Sequence, residues 1–122
     1  MNSVSKDPKA KKWIGFRFAL SGLSGMIREE RNLKIHLGAS VLVVVTGFIF
    51  TVSVVEWAIL LLTIALVLSL EVMNAVVERV MDFIHPDYHQ KVKVIKDAAA
   101  GAVLIAAIMA VLIAIVIFVP KL

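Results

Sequence analysis

Two long runs without ionisable side chains constrain this chain more than any other feature of its sequence. Residues 37–55 supply 19 such positions and residues 98–119 supply 22. A helix needs about 20 apolar residues to cross the hydrocarbon core of a bilayer. The chain as a whole is 61% hydrophobic, with a mean hydropathy of +0.96. These values predict an integral membrane protein with a single domain.

A third apolar run, 57–70, has only 14 residues and leads directly into acidic residues. It reaches spanning length only by carrying Glu71 and Asn74 into or beside the membrane. At about 100° per residue, Glu71, Asn74, Glu78 and Asp82 fall on one narrow helix face. A charge at membrane depth costs at least a few kcal/mol, so such a residue is by default a functional candidate.

The remaining segments complete an all-α membrane protein. Residues 1–12 are polar and lysine-rich and are expected to form a disordered tail, followed by one membrane domain at 13–122. Spans are predicted at about 35–55, 57–82 and 97–119, with a polar linker at 88–96 after His85-Pro86-Asp87 ends the second span. An amphipathic helix in the membrane interface is indicated by apolar residues at helical spacing, namely Trp13, Phe16, Leu20, Leu23 and Ile27.

The distribution of cations predicts the orientation of the chain. Twelve of the 13 lysines and arginines lie before residue 35 or between residues 79 and 96. By the positive-inside rule these two segments face the cytoplasm, so the turn at 51–57 and the C-terminus face outward.

The third span also carries alanine at every fourth position from Ala98 to Ala114. Such a stripe allows close helix contact, either inside one hairpin or between copies of the chain. We favour an oligomer, because three helices alone would hardly enclose four or five charged groups.

Common soluble nucleotide-binding and hydrolase motifs are missing from the sequence. It contains no G-x-x-x-x-G-K-[ST], G-x-G-x-x-G, G-x-S-x-G or H-E-x-x-H. With no cysteine there is neither a disulfide nor a thiolate metal site. No nucleic-acid partner is expected.

The acidic residues remain as the candidate chemistry. The predicted topology gathers Glu30, Glu78, Asp82, Lys96 and Asp97 at the cytoplasmic interface. Carboxylates suit a hard ion such as Mg²⁺, which takes one or two of them together with phosphate oxygens. Two helical turns from Glu78, about 10 Å deeper, Glu71 could act as a general base that Asn74 helps to orient.

Each residue also has a structural interpretation. Glu71 could be a paired structural charge, and Glu78 could form a surface salt bridge with Arg79 or a lysine. Asp82 could be solvated, Asp97 could cap the third span, and Lys96 could be one more topogenic cation. The histidines are not expected to be ligands: His36 is expected to pack at the interface, and a dedicated metal site at His85 and His89 is not expected.

Two other classes of function remain open on the residues alone. A small proton-coupled transporter would use Glu71 as its proton carrier, but it has no use for the other ionisable groups on one side of the membrane. A holin-like or structural oligomer needs none of these residues.

The segments E-V-M-N-A-V-V-E-R-V-M-D, H-P-D-Y-H and K-D-A-A-A-G-A-V-L-I resemble the small prokaryotic diacylglycerol kinase family, which includes the undecaprenol kinases. The likeness covers nearly all of the chain from about Trp13. Two positions depart from the family pattern: Ala75 stands where Ser or Thr usually follows the Asn, and Phe18 stands where relatives can have a Tyr near the nucleotide.

The resemblance implies a homotrimeric kinase of the bacterial cell membrane that uses ATP and Mg²⁺ to phosphorylate a lipid alcohol, at sites shared between subunits. It gives Glu71 the role of catalytic base, with Asn74 on the same active-site face. It implies Mg²⁺ ligation by Glu30 and Glu78, with Glu29 a less suitable neighbour. The residues implied to contact ATP are Asp87, Tyr88, His89, Lys96 and Asp97.

The H-P-x-Y-H and I-K-D-A-A-A-G segments look more like the Gram-positive branch of the family. That likeness implies undecaprenol as the acceptor, giving undecaprenyl phosphate. Phosphorylation of diacylglycerol to phosphatidic acid is the alternative.

Overall fold

The computed structural model describes the backbone of residues 8–122 and the side chains from Trp13 onward. Its helices are α1 (Pro8–Glu29), α2 (Arg31–Ile49), α3 (Val54–Ile84) and α4 (Gln90–Phe118), and a short 3₁₀ helix at Val119–Lys121 follows α4. Between residues 8 and 122 there is no β-strand. Three of the helices, α2, α3 and α4, are long and apolar enough to cross a membrane, which confirms the all-α membrane fold.

The first helix, α1, starts inside the segment that the sequence analysis expects to be a disordered tail. Its first residue is Pro8, and proline is tolerated in the first turn of a helix; residues 1–7 lie outside the described part. The apolar side chains of Trp13 and Phe16 are exposed and stack with ring centroids 6.0 Å apart. At Glu30 the backbone becomes extended, with φ −99° and ψ 111°, which separates α1 from α2.

The turn between α2 and α3 comes earlier in the chain than the uncharged run 37–55 predicts. Helix α2 ends at Ile49, and Thr51 adopts a left-handed conformation with φ 49°. Ser53 then caps α3: its side chain accepts a hydrogen bond from the Glu56 amide at 3.1 Å, and the Glu56 carboxylate accepts one from the Ser53 amide at 2.9 Å. The boundary differs from the prediction because local capping, not hydropathy, sets where α3 begins.

A small apolar cluster packs the helices together at the end of the bundle that holds the turn between α2 and α3. Val52, Leu60 and Ile117 form its buried centre, and Trp57 and Phe118 pack against it. Lys121 donates a hydrogen bond to Glu56 at 2.9 Å, so the end of the chain is tied to the cap of α3.

At the other end, Pro86 separates α3 from α4, as the sequence predicts. Helix α4 starts at Gln90, so seven of the nine residues of the expected linker 88–96 are helical. Its N-cap is His89, whose Nδ1 accepts a hydrogen bond from the Lys91 amide at 3.0 Å. The interpretation of Asp97 as a helix cap is therefore wrong, because Asp97 lies about two turns inside α4.

The contact between α3 and α4 is the most extensive between helices. In the alanine stripe of α4, Ala106 is buried, Ala102, Ala110 and Ala114 are half-buried, and Ala98 is exposed. The described spans nevertheless leave many large apolar side chains exposed. These surfaces suit lipid or further protein copies rather than water.

Candidate functional site

The polar residues with the least solvent exposure in the described chain are Glu71 and Asn74, which lie one turn apart on α3. Their exposed fractions are 5% and 8%, and they are the two buried polar residues in the described part. Within that part the Asn74 Oδ1 atom has no hydrogen-bond partner. A buried polar atom without a partner is costly, so an orphaned amide oxygen beside a buried carboxylate is typical of a site that receives a ligand.

The partner nearest to the Glu71 carboxylate is His36 on α2, whose Nε2 lies 3.6 Å from Glu71 Oε2. His36 is half-buried, and it does not simply pack at the interface as the sequence predicts. The pairing depends on how α2 packs against α3. The 34 residues between the two positions carry no periodic signal that would have revealed it.

The predicted metal ligands Glu30 and Glu78 come from different elements. Glu30 lies at the junction of α1 and α2, and its Oε1 accepts hydrogen bonds from Arg79 Nη2 at 2.9 Å and from Arg79 Nε at 3.3 Å. Arg79 Nη2 also donates to Glu29 Oε2 at 2.8 Å. Arg79 therefore pairs with Glu29 and Glu30, and not with the adjacent Glu78.

The donor set of Glu30 and Glu78 fits Mg²⁺. Both offer hard carboxylate oxygens, and Mg²⁺ in nucleotide enzymes commonly takes only one or two carboxylates plus phosphate oxygens and water. Among the described side chains, no three His, Cys, Asp or Glu residues are grouped so that they could hold an ion by themselves. An ion bound by Glu30 and Glu78 would therefore depend on phosphate oxygens for the rest of its coordination.

The residues expected to contact ATP share one cavity. A pocket of about 410 Å³ lies between the end of α3 and the start of α4. It is lined by all five of the expected residues, Asp87, Tyr88, His89, Lys96 and Asp97, together with Asp82, His85, Pro86, Val92 and Lys93.

Ion pairs order the charged groups of this pocket. Lys96 donates a hydrogen bond to Asp82, and Lys93 donates one to Asp97 at 2.6 Å. Asp82 is thus paired and not merely solvated. Because the lysines already have acidic partners, an incoming polyphosphate would have to exchange with a carboxylate or share its lysine.

The two histidines of this pocket are both held by the backbone. The rings of His85 and His89 lie 5.3 Å apart edge-on, and His85 Nδ1 is 2.8 Å from the Asp87 carbonyl oxygen. His89 Nδ1 is used by the helix cap.

An apolar cavity of about 510 Å³ opens between α1, α2 and α3. Its walls come from α1, α2 and α3, namely Leu23, Ile27, Leu33, Leu37, Ala65, Leu68, Ser69, Val72 and Met73. Val72 follows Glu71 directly in α3, but Glu71 itself is not among the lining residues, since neighbouring side chains of a helix point about 100° apart.

The two departures from the family pattern have different surroundings. Ala75 is 3% exposed. Its side chain is therefore closely packed at the position where the family usually has the hydroxyl group of a Ser or Thr. Phe18 is exposed on α1.

Comparison with known proteins connects this geometry to an activity. The sequence profile of the family described as prokaryotic diacylglycerol kinase matches residues 17–118. The chain is 39% identical over 107 residues to an undecaprenol kinase of Bacillus subtilis (strain 168), which covers 88% of this chain and 87% of that protein. It is also 39% identical over 101 residues to a diacylglycerol kinase of Synechocystis sp., covering 82% of this chain and 58% of that protein.

Proposed function

This chain belongs to the prokaryotic diacylglycerol kinase family, and on that premise we propose that it transfers the γ-phosphoryl group of ATP to the hydroxyl of a membrane lipid. The observation that carries the proposal is the buried Glu71 carboxylate inside a spanning helix, one turn from the orphaned oxygen of Asn74. The reaction takes place at the cytoplasmic face of a bacterial cell membrane, where lipid hydroxyls and ATP can meet.

Glu71 is the general base of the proposed reaction. One of its carboxylate oxygens accepts the proton of the lipid hydroxyl while the hydroxyl oxygen forms a bond to the γ-phosphorus. The bond from that phosphorus to the bridging oxygen breaks, and ADP leaves with the electron pair. Asn74 orients the hydroxyl or the carboxylate. Holding both reactants in this geometry supplies much of the rate enhancement in phosphoryl transfer.

The charged groups outside the membrane bind the nucleotide. Glu30 and Glu78 hold Mg²⁺, which when bound neutralises charge on the phosphate oxygens. Lys96 contacts the phosphates, and Asp97 orders the site. Asp87, Tyr88 and His89 in the connection between α3 and α4 contact the rest of ATP, which is supported by the cavity that they share.

The proposed acceptor is undecaprenol, which yields undecaprenyl phosphate. The relative named undecaprenol kinase is matched over 87% of its length, and the apolar cavity between α1, α2 and α3 suits a hydrocarbon chain. Diacylglycerol is the alternative acceptor, because the relative of that name is equally identical, at 39%, over a smaller share of its own length.

The proposed assembly is a homotrimer with active sites between neighbouring subunits. The exposed apolar faces of the spans and the alanine stripe of α4 support close contact between copies. Cavities that open on the surface of one chain would then be completed by the next.

The test is phosphorylation of each lipid by the purified protein in mixed detergent micelles with radiolabelled ATP and Mg²⁺. We expect undecaprenol to be phosphorylated faster than diacylglycerol.

Glu71→Gln is expected to lower kcat by about 100-fold or more, since general base catalysis contributes about 10²- to 10⁴-fold. Glu78→Gln is expected to raise the Mg²⁺ requirement.

The matched control is Glu56→Gln, at the outer end of the same helix, which should keep its activity at temperatures where the variant is folded. If the wild type phosphorylates neither lipid, the proposed function is wrong. If Glu71→Gln keeps the wild-type kcat, the kinase assignment can stand but Glu71 is not the base.

A further inference from the structure

Arg79 joins three elements through a single guanidinium group. It projects from α3, whereas its partners Glu29 and Glu30 are the last residue of α1 and the residue between α1 and α2. Its contact with Glu29 measures 2.8 Å, and its shortest contact with Glu30 measures 2.9 Å. Arg79 therefore fixes the junction of α1 and α2 to the helix that carries Glu71 and Glu78.

The two oxygens of Glu30 are used differently. Oε1 receives both hydrogen bonds from Arg79, from Nη2 and from Nε. Among the described residues, Oε2 has no hydrogen-bond or ion-pair partner. The arrangement thus holds the carboxylate from one side and leaves the other oxygen available to a cation.

The backbone conformation at Glu30 does not by itself fix the direction of the Glu30 carboxylate. Glu30 is in an extended conformation between two helices, and no side-chain hydrogen bond caps α2 at this position. The side chain of Glu30 is 26% exposed, and within the described residues the hydrogen bonds to its carboxylate come from Arg79. A carboxylate on a helix junction would otherwise sample several directions.

We infer that Arg79 is a positioning residue for Mg²⁺: it holds Glu30 through Oε1 so that Oε2 faces the ion that Glu78, the neighbour of Arg79 on α3, also ligates. This inference rests on the proposed function, since that function supplies the ion. Glu29 accepts a further hydrogen bond from Arg79 Nη2 and is not itself a ligand. Hydrogen-bonded partners of this kind orient metal ligands, and their removal typically lowers metal affinity by about 10- to 100-fold.

Electrostatic repulsion alone predicts the opposite effect of Arg79 on metal affinity. A cation next to a metal site repels the metal, so removal of Arg79 would then tighten metal binding. Orientation and repulsion thus predict changes of opposite sign, and one titration distinguishes them.

The titration uses Mn²⁺, followed by electron paramagnetic resonance, with the full-length protein in detergent and a non-hydrolysable ATP analogue. Arg79→Gln is expected to raise the half-saturating Mn²⁺ concentration by about 10-fold or more. Arg79→Lys is expected to fall between wild type and Arg79→Gln, because an ammonium cannot give the two directed bonds that Nε and Nη2 donate. Unchanged or tighter binding by Arg79→Gln would overturn the inference.

A double-variant comparison shows whether Arg79 acts through Glu30. In a Glu30→Gln background, the further change Arg79→Gln should shift Mn²⁺ half-saturation by no more than about 2-fold, because the oriented ligand is already lost. An equal shift in both backgrounds would contradict a role through Glu30. Arg28→Gln is the matched control: it removes a cation one residue before Glu29, where Arg28 Nε donates only to the Ser24 carbonyl in its own helix at 3.4 Å.

Hydrogen exchange of the metal-free protein provides a readout without the ion. Amides at 29–34 are expected to exchange faster in Arg79→Gln than in wild type or Arg28→Gln, since the junction loses its anchor to α3. Faster exchange with unchanged Mn²⁺ affinity would mean that Arg79 is purely structural, and the inference would be wrong. If the proposed function is wrong, a different result is expected: the wild-type protein binds Mn²⁺ with the ATP analogue but phosphorylates no lipid.

Discussion

At the scale of single residues, the ionisable groups of this protein are arranged by depth. Those near the connection between α3 and α4 are exposed and form ion pairs, such as Lys93 with Asp97. Glu71 is buried in α3, and among the described ionisable side chains His36 is the one that pairs with it, at 3.6 Å. A charge so placed is expensive, so its immediate surroundings decide whether it can work as a base.

We predict that His36→Leu lowers kcat about 10-fold with little change in KM for ATP. Loss of the polar partner leaves the buried carboxylate unsupported, which costs about 1–3 kcal/mol, and about 1.4 kcal/mol corresponds to a tenfold rate change. Steady-state kinetics with varied ATP measure both constants.

His36→Gln should recover much of that loss, because its amide can still donate to Glu71. Ser40→Ala, one turn further along α2, is the matched control: its hydroxyl bonds only to the His36 carbonyl at 2.7 Å. A wild-type kcat in His36→Leu would show that the contact with Glu71 is incidental.

At the scale of elements, the hairpin of α2 and α3 is the most sharply specified part of the fold. The capping box of Ser53 and Glu56 determines where α3 begins. Directly before the turn, Gly47 is buried against Trp57, and Phe48 contacts the same ring with centroids 4.9 Å apart. The two helices approach closely here because position 47 has no side chain.

We predict that Gly47→Ala destabilises the protein by about 1–3 kcal/mol. A Cβ at this position would lie 2.6 Å from the Trp57 ring, so the ring or the helix must move. The measurement is thermal unfolding in detergent, which should show a lower Tm.

Gly22→Ala in α1 is the matched control, since its Cβ would meet no atom within 4 Å. Alanine is the better helix former, so this variant should keep or slightly raise the Tm. An equal decrease of the Tm in both variants would show that close contact with Trp57 is not the reason for glycine at position 47.

At the scale of the whole molecule, the protein is a thin bundle whose polar groups lie mainly at one end. The connection between α3 and α4 carries the proposed ATP pocket, and the opposite end carries the small apolar cluster and the pair of Lys121 with Glu56. The positive-inside rule predicts that the pocket faces the cytoplasm and that residue 122 faces the outside.

We predict that a cysteine at position 122 is labelled in intact cells by a membrane-impermeant maleimide and that a cysteine at position 90 is not. The chain contains no cysteine of its own, so Leu122→Cys and Gln90→Cys are each single reporters. Both positions are exposed, so protection of position 90 reports the membrane and not burial in the protein. After the cells are opened, both should react.

The reverse pattern of labelling would place the pocket outside the cell, where ATP is scarce, and would contradict the topology. The unmodified chain is the control, because it should not be labelled at all.

The sequence by itself determined the features that depend on local composition and spacing. Uncharged length identified two of the three spans, and the spacing of 71, 74 and 78 placed Glu71 and Asn74 on one face, since a helix repeats in a known way. Proline at 86 marked the end of α3. Motif resemblance grouped the residues that line the pocket between α3 and α4.

Tertiary structure alone decided which charged groups meet across helices. Arg79 takes Glu29 and Glu30 as partners instead of its neighbour Glu78, and Lys96 takes Asp82. His36 reaches Glu71 only because α2 packs against α3. These pairings follow from the relative positions of helix axes, and periodicity along one helix carries no information about the rotation or height of another.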